Sequence, residues 1–362
     1  MTRTIMIMAG GTGGHIYPGL AVAAAMREQG WQVIWLGTKN GMESRIVPEH
    51  GYTMAWLTMG GIRGNGLLRK LMLPMMLLLA FAQALNALLR HRPDVVLGMG
   101  GYPSFPGGMM AVLLGKPLVI HEQNSIAGLS NRILACLAEK VVVGFPAAFK
   151  NQQDRPVPCG KVDTVWLGNP VRENIAGLPV KAVSTQAQLH LLVVGGSLGA
   201  AALNEMVPKA LALIPEAQRP EVIHQAGTRH METLRGNYAA AGVKADVRDF
   251  IADMASVYAW SDLAITRAGA LTVAELAAAG VPSVLVPYPH AVDDHQTTNA
   301  QFLVAAGAAI LMPQTELTAE KLATGLLQLQ REQLNKMAQQ AKLLAKPDAT
   351  AAVAKVCMGL AK

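Results

Sequence analysis

The chain has 362 residues, room for about two domains at roughly 150 residues each, and its 51% hydrophobic and 15% charged content excludes an intrinsically disordered protein. Aromatic residues make up only 5%, which argues against a base-stacking single-strand binder, and no nucleic-acid partner is expected. With 31 Lys and Arg against 24 Asp and Glu, the formal charge of +7 by itself favours an anionic partner: nucleic acid, a phosphorylated substrate or an acidic membrane surface.

In chain order, residues 4–8 form a short apolar strand. A glycine turn follows at 10–14, then an Ala-rich helix over 19–29 that Gly30 ends, then a second strand at 32–36. The first apolar run is too short for a signal peptide, which predicts a chain that stays in the cytoplasm. Residues 71–89 (LMLPMMLLLAFAQALNALL) carry no charge and are long enough to span a bilayer. Strands at 94–97, 117–120 and 140–143 come next, ending at GMGGY, HEQN and Gly144. Residues 151–158 and 161–169 read as a connection. The strand-glycine-helix pattern then restarts at 189–194 with GGSLG at 195–199. Further strands fall at 221–224, 246–250, 262–266 and 283–286, and residues 320–362 read as helical with a break at Pro347. Short, fully apolar strands alternating with helices predict α/β architecture: two Rossmann-like, doubly wound parallel-sheet domains. Cys136, Cys159 and Cys357 fit no metal spacing, and one of them must stay unpaired. That suits a reducing compartment without structural zinc.

The turn GGTGGH at 10–15 leads directly from strand to helix, where glycine amides and a helix N-terminus can hold an anion; an ordinary tight turn is the plain alternative. It lacks the dinucleotide fingerprint, because Ile16 stands at the third glycine position and the second strand ends at LGTKN without a carboxylate. No Walker sequence is present. His15 projects from this turn at the carboxyl edge of the sheet, where a neutral imidazole can accept a proton. GGSLG, with the Ser197 hydroxyl, is the second phosphate-binding candidate, and GMGG at 98–101 a third.

In RAGALTVAE at 267–275, Thr272 and Glu275 fit a capping box. If the helix starts at Gly269 or Ala270, Glu275 instead faces the ligand edge, where a carboxylate can bind paired sugar hydroxyls. Asp293, Asp294 and His295 make a poor chelate in an extended segment, so a polar sugar-binding loop is the expectation, with no metal and no cofactor. HEQN at 121–124 reads as a polyhydroxyl-binding edge or as a plain polar turn.

GGTGGH with Pro18-Gly19, GMGGY, HEQN, GNPVR at 168–172, VVGGS, RAGALTVAE and DHQTxNA occur in this order over essentially the whole chain. Together they resemble the MurG family, the bacterial glycosyltransferases that make lipid II of peptidoglycan. The resemblance implies the GT-B fold, two Rossmann-like domains facing across a cleft. Residues 1–168 would bind acceptor and membrane, 169–346 would bind UDP-GlcNAc, and 347–362 would form a C-terminal helix packing back on the first domain. It also implies an inverting transfer of GlcNAc from UDP-GlcNAc to the C4 hydroxyl of undecaprenyl-pyrophosphoryl-MurNAc-pentapeptide. The place would be the cytoplasmic face of the bacterial inner membrane, with the protein held peripherally.

By motif, UDP-GlcNAc would meet Thr12, Gly13, Gly14, Asn124, Arg172, Ser197, Ile251, Ala270, Leu271, Thr272, Val273, Ala274, Glu275 and Gln296. Glu275 would take the ribose hydroxyls and the Ile251 backbone the uracil. Gly10, Gly11, Gly100 and Gly101 would cradle the acceptor pyrophosphate, and His15 would be the general base. The loop GGSLG carries Leu198 where the family often has glutamine, and residues 151–167 run longer than its usual linker. Pro74, Gln83 and Asn86 within the apolar run, and Arg63, Arg69, Lys70, Arg90 and Arg92 around it, fit an interfacial segment on an anionic membrane better than a spanning helix. An ordinary buried helix, with Met72, Met75 and Met76 inside, is the alternative there. A UDP-GlcNAc 2-epimerase of the same fold and a non-catalytic nucleotide-sugar sensor are the competing functions.

Overall fold

The computed structural model describes residues 2–58, 67–149, 162–183, 188–196 and 199–361, with side chains 67–72 and 292 outside that description. The chain divides into two compact units, Met1–Val171 with Asp348–Lys362, and Arg172–Pro347.

The first unit runs β1 (Thr4–Ala9), α1 (Gly13–Glu28), β2 (Gln32–Thr38), α2 (Glu43–Glu49), β3 (Thr53–Leu57), α3 (Leu67–His91), β4 (Val95–Gly100), α4 (Ser104–Leu113), β5 (Leu118–Glu122), α5 (Leu129–Leu134), β6 (Lys140–Val143) and β7 (Thr164–Trp166). Its seven strands are parallel, in the order β3-β2-β1-β4-β5-β6-β7. Why β1 can be apolar at every position from Ile5 to Ala9 follows from the two-residue period of a strand. Ile5, Ile7 and Ala9 join the core under α1, whereas Met6 and Met8 join a second core with Ala84, Leu88 and Ala111 from α3 and α4. Each fully buried Ile, Leu or Met among them contributes about 1.5–3 kcal/mol.

The second unit runs α6 (Glu173–Ala176), β8 (His190–Val194), α7 (Ala201–Ala212), β9 (Glu221–Gln225), α8 (Met231–Ala241), β10 (Asp246–Arg248), α9 (Met254–Trp260), β11 (Leu263–Thr266), α10 (Ala270–Ala279), β12 (Ser283–Leu285), α11 (His295–Val304), β13 (Ala309–Leu311), α12 (Ala319–Gln328) and α13 (Arg331–Leu343). Six parallel strands are ordered β10-β9-β8-β11-β12-β13. The last helix, α14 (Ala349–Leu360), packs in the first unit, where Val353, Ala354 and Cys357 join the core beneath α1.

Several elements differ from the sequence expectation. Helix α1 starts at Gly13, not Gly19, and carries Pro18 inside it, although proline most often stands in a helix's first turn. His15 therefore lies in the first helical turn. Strands β3, β7 and β13 were not expected: each is short and only partly buried, so its apolar pattern is weak. β7 lies within the stretch read as a connection, of which residues 151–158 and 161 fall outside the described residues. Strand β4 continues through Gly98 and Gly100, and β5 through His121 and Glu122, so motifs read as turns partly belong to strands.

Candidate functional site

In an open parallel sheet, ligands bind at the strands' carboxyl ends where the strand order reverses. In the first unit that point lies between β1 and β4, and it brings the loop 10–14 against Gly100 and Gly101. Gly101 (φ +80°) lies so close that an added Cβ would stand 2.1 Å from the Gly10 carbonyl oxygen. Only glycine permits this backbone-to-backbone contact. Below it, Trp35 Nε1 donates to the Ala9 carbonyl at 2.9 Å and fixes the end of β1.

Glu43, wholly buried, ties the loop from beneath. Its Oε2 accepts from Gly11 N–H (3.1 Å), and its Oε1 accepts from the amide and hydroxyl of Thr38 (3.0 and 2.7 Å). The Gly100 amide donates to Ser104 Oγ (3.0 Å), which donates to the Met8 carbonyl (2.9 Å). Of the glycines assigned to the acceptor pyrophosphate, Gly11 and Gly100 thus already spend their amides within the protein. Thr12, in extended conformation, precedes α1 without capping it, so the first-turn amides of Gly13 and Gly14 have no intrahelical acceptor. An uncapped helix start suits an anion.

His15 stands in that first turn. Its Nδ1 lies 2.9 Å from Gln123 Oε1, and a Cβ on Gly100 (φ +98°) would come within 2.9 Å of the same nitrogen. Gln123 Nε2 is 3.1 Å from His121 Nδ1, and His121 Nε2 is 3.0 Å from the Gly168 carbonyl. Burial lowers the His121 pKa to about 4, with the Gly168 bond opposing that shift and the nearby His15 adding to it.

HEQN is mostly a structural hub rather than the polyhydroxyl-binding edge the sequence allowed. Glu122 Oε1 accepts from the backbone and side-chain amides of Asn124 (2.9 and 3.2 Å), and Oε2 from Gly128 N–H (3.0 Å) and Asn131 Nδ2 (2.9 Å). His121, Glu122 and Gln123 are buried; Asn124 is half-buried and nearer the surface.

In the second unit the strand order reverses between β8 and β11. This places Gly195 and Gly196 beside Ala268, Gly269 and the start of α10; Ser197 and Leu198 lie outside the described residues. Helix α10 begins at Ala270 with Gly269 as its N-cap, so Thr272 lies inside the helix and the capping box does not form. One turn further on, Glu275 is buried. Arg172 Nη2 donates to its Oε1 (3.1 Å) and the Tyr258 hydroxyl to its Oε2 (3.2 Å).

Burial raises the Glu275 pKa above the ordinary carboxylate value, opposed by Arg172 and Tyr258. Burial, reinforced by Glu275, also pushes the Tyr258 phenol well up, so it remains a donor. Arg172 opens this unit, and its buried Nε has no partner among the described residues. Ala270 and Val273 are buried, Leu271, Thr272 and Ala274 less so.

Ile251 is buried just after the exposed Phe250, and Gln296 Oε1 accepts from the Tyr288 amide at 2.9 Å. Asp293 and Asp294 both adopt left-handed backbone (φ 52° and 49°) ahead of α11. Among the described residues no three His, Cys, Asp or Glu side chains converge as a metal-binding group.

Glu43 and Tyr258 were not singled out by sequence reasoning, and Gln123 was read within HEQN only as a polyhydroxyl-binding or turn residue, not as a partner of His15. The glycine amide that Glu43 holds, the glutamate that Tyr258 holds and the histidine that Gln123 faces lie 32, 17 and 108 residues away, and no motif links the partners. A Gly-rich turn followed by a carboxylate that folds beneath it is the one signal that could have pointed to Glu43.

Helix α3 holds the apolar run. Residues Leu73–His91 are long and apolar enough to cross a membrane by length and composition, and 22% of that window is buried. Its outward stripe is apolar: Met75, Leu78 and Leu79 are 65%, 70% and 51% exposed, and Ala82 and Leu89 continue it. Met76 is half-buried, so Met75 at least is not inside, as the buried-helix alternative required.

Two Rossmann-like units with glycine turns at their switch points define a GT-B-type glycosyltransferase fold. The Glycosyltransferase family 28 N-terminal domain matches residues 5–143, and the Glycosyltransferase family 28 C-terminal domain matches residues 190–353. The UDP-N-acetylglucosamine--N-acetylmuramyl-(pentapeptide) pyrophosphoryl-undecaprenol N-acetylglucosamine transferase of Thiobacillus denitrificans is 61% identical over 361 residues, 99% of each chain. The crystal structure of Acinetobacter baumannii MurG is similar with a TM-score of 0.81 and 38% identity, covering 99% of both chains. The chain belongs to glycosyltransferase family 28. The UDP-GlcNAc 2-epimerase from Neisseria meningitidis shares the fold alone, at TM-score 0.68 and 13% identity over 99% of this chain and 100% of that one.

Proposed function

We propose that this chain transfers N-acetylglucosamine from UDP-GlcNAc to the muramyl sugar of undecaprenyl-pyrophosphoryl-MurNAc-pentapeptide, forming lipid II from lipid I. The observation that carries this reading is the 61% identity to a transferase of that name through 99% of both chains.

In the proposed chemistry the acceptor's C4 hydroxyl oxygen bonds to the anomeric carbon from the face opposite UDP. The bond from that carbon to the UDP oxygen breaks, UDP leaves with the electron pair, and configuration inverts. The hydroxyl proton passes to the His15 imidazole, a contribution of about 10²–10⁴-fold. Thr12, Gly13, Gly14 and Asn124, together with Arg172, Ser197, Ile251, Gln296 and the 270–275 helix start, are assigned to UDP-GlcNAc. Glu275 takes the ribose hydroxyls, and Arg172 and Ser197 the departing diphosphate, whose developing charge fixed donors stabilise. Gly10 and Gly101 line the acceptor pyrophosphate with Gly11 and Gly100, whose engaged amides shape the loop rather than bind.

Membrane contact is assigned to the exposed apolar residues of α3 with Arg90 in its last turn, in support of a peripheral protein working at the cytoplasmic face of the inner membrane.

Labelled UDP-GlcNAc incubated with lipid-linked MurNAc-pentapeptide tests the reaction. Label in the organic phase is the expected result. UDP-ManNAc would mark an epimerase and unchanged donor a sensor, and either would refute the transfer. Replacing His15 by Ala should leave UDP-GlcNAc binding intact while turnover collapses; near-normal kcat would remove His15 from the role.

A further inference from the structure

The imidazole of His15 has two nitrogens, and only one with a free lone pair can take a proton. Which one that is follows from a chain of contacts whose far end is a backbone carbonyl. The Gly168 oxygen can only accept, so His121 Nε2, 3.0 Å away, must carry a proton and donate to it. His121 is fully buried and its pKa lies near 4, so at neutral pH it is uncharged and its Nδ1 is an acceptor. The side chain facing Nδ1 at 3.1 Å is Gln123, which must therefore present its NH₂ group there; the same nitrogen also donates to the His121 carbonyl at 3.3 Å. That orientation leaves the Gln123 oxygen toward His15 Nδ1 at 2.9 Å, and an amide oxygen accepts only. The direction of each bond thus follows from the carbonyl, without assuming which end of the Gln123 amide is oxygen.

We propose that Gln123 is a positioning residue which, anchored through His121 on the Gly168 carbonyl, holds His15 as its Nδ1–H tautomer and leaves Nε2 as the proton-accepting atom. Two further contacts brace the arrangement. Asn169 Nδ2 donates to the Gln123 carbonyl at 3.0 Å, and the bare Cα of Gly100 packs against the Nδ1–Cε1 edge of the His15 ring. No described residue hydrogen-bonds to His15 Nε2, so that nitrogen is available to a substrate. When Nε2 takes the acceptor's proton, Nδ1–H keeps its bond to Gln123, so the chain need not rearrange during turnover. The tautomer is a property of the folded protein; its catalytic consequence rests on the transferase reading above.

The test is ¹⁵N NMR of the full-length protein labelled in its histidine rings, recorded at neutral pH without substrate, with the His15→Ala variant identifying the His15 signals. The wild type should show His15 with a proton on Nδ1 and a pyridine-like Nε2. In Gln123→Met, which has no acceptor oxygen, His15 should shift toward the Nε2–H form. kcat in that variant should fall about ten- to a hundredfold, with KM for UDP-GlcNAc little changed. Gln123→Glu, which restores an oxygen opposite Nδ1, should restore the proton on that nitrogen. A wild-type His15 found as Nε2–H, or unchanged tautomers in Gln123→Met, overturns the proposal. The spectra decide this without turnover, so an inactive protein with the expected tautomer would overturn the transferase reading and leave the positioning intact.

Discussion

The Tyr258 hydroxyl donates to Glu275 Oε2 over 3.2 Å, with both residues buried. This bond and the Arg172 contact at 3.1 Å hold a carboxylate that burial disfavours. Because the folded pKa of Glu275 lies above the unfolded one, its stabilising contribution is full below the unfolded value and is lost as pH rises through the folded value. Ionising the buried carboxyl therefore costs the fold stability. Glu275→Gln should leave the thermal-unfolding midpoint unchanged or raised, while affinity for UDP-GlcNAc drops about ten- to a hundredfold, as read by calorimetry. Tyr258→Phe should weaken the same binding less, by about tenfold at most. A large loss of stability in Glu275→Gln would show that the carboxylate serves the fold instead.

Gly100 is both a backbone position and a wall of the His15 site. At φ +98° an alanine is strained by about 1–2 kcal/mol, and its Cβ would press on the ring at 2.9 Å. Gly100→Ala should lower kcat at least tenfold and leave UDP-GlcNAc affinity within about twofold. Steady-state kinetics beside equilibrium binding would show it, and equal losses in both would mean that the loop as a whole had collapsed.

The parts of the fold that could be read in advance are those where one local rule decides. β1 is apolar from Ile5 to Ala9 because both its faces are covered, and that short apolar run reads directly as a buried strand. Edge strands such as β3 and β13 bury little, so their composition says little. The start of α1 was hidden because Pro18 fits a helix's first position as well as its sixth. In the site, His15, Glu275 and Gln123 sit in motifs, but the pairing of Gln123 with His15 and of Tyr258 with Glu275 is made only by the tertiary fold. The glycine content of GMGG, read as phosphate binding, owes much to packing against Gly10 and His15.

Two buried histidines give the protein an acid limit. Burial lowers His121 to about 4 and His224 to about 3, where His224 is bonded to the Tyr238 hydroxyl (2.9 Å) and Asn204 Oδ1 (3.1 Å). Unfolded, each would protonate near 6.5. Below that pH the unfolded chain binds more protons than the folded one, so stability falls as pH drops from about 6.5 toward 4, by up to roughly 1.4 kcal/mol per pH unit for each group. Thermal-unfolding midpoints across that range should decline, and His224→Gln should make the decline shallower. An identical slope in the variant would assign the acid sensitivity elsewhere.

Glu43 holds the glycine loop from within the fold. It satisfies the Gly11 amide and both donors of Thr38, and an added Cβ on Gly10 would meet its Oε1 at 2.6 Å. Glu43→Ala strands those donors in a buried site and should cost about 1–3 kcal/mol for each one left unsatisfied. Hydrogen exchange at the Gly11 amide should accelerate, and kcat should fall because the loop carrying His15 loosens. Unchanged Gly11 protection would mean that the loop holds its shape without the carboxylate.

The exposed stripe of α3 calls for a test that separates membrane contact from folding. Leu78 and Leu79 are 70% and 51% exposed, so replacing either by Glu removes little packing and should change stability by no more than about 0.5 kcal/mol. If these side chains enter a lipid interface, each loses about 1.5–3 kcal/mol of burial, and the new charge also meets the anionic headgroups. Sedimentation with anionic vesicles at low salt should show binding weakened tenfold or more for either variant. Added salt should weaken the wild type too, since Arg90 contributes by charge. With an acceptor embedded in vesicles KM should rise, whereas with a short-chain, water-soluble acceptor the variants should match the wild type. Unaltered vesicle binding in the double variant would assign the stripe to something other than lipid.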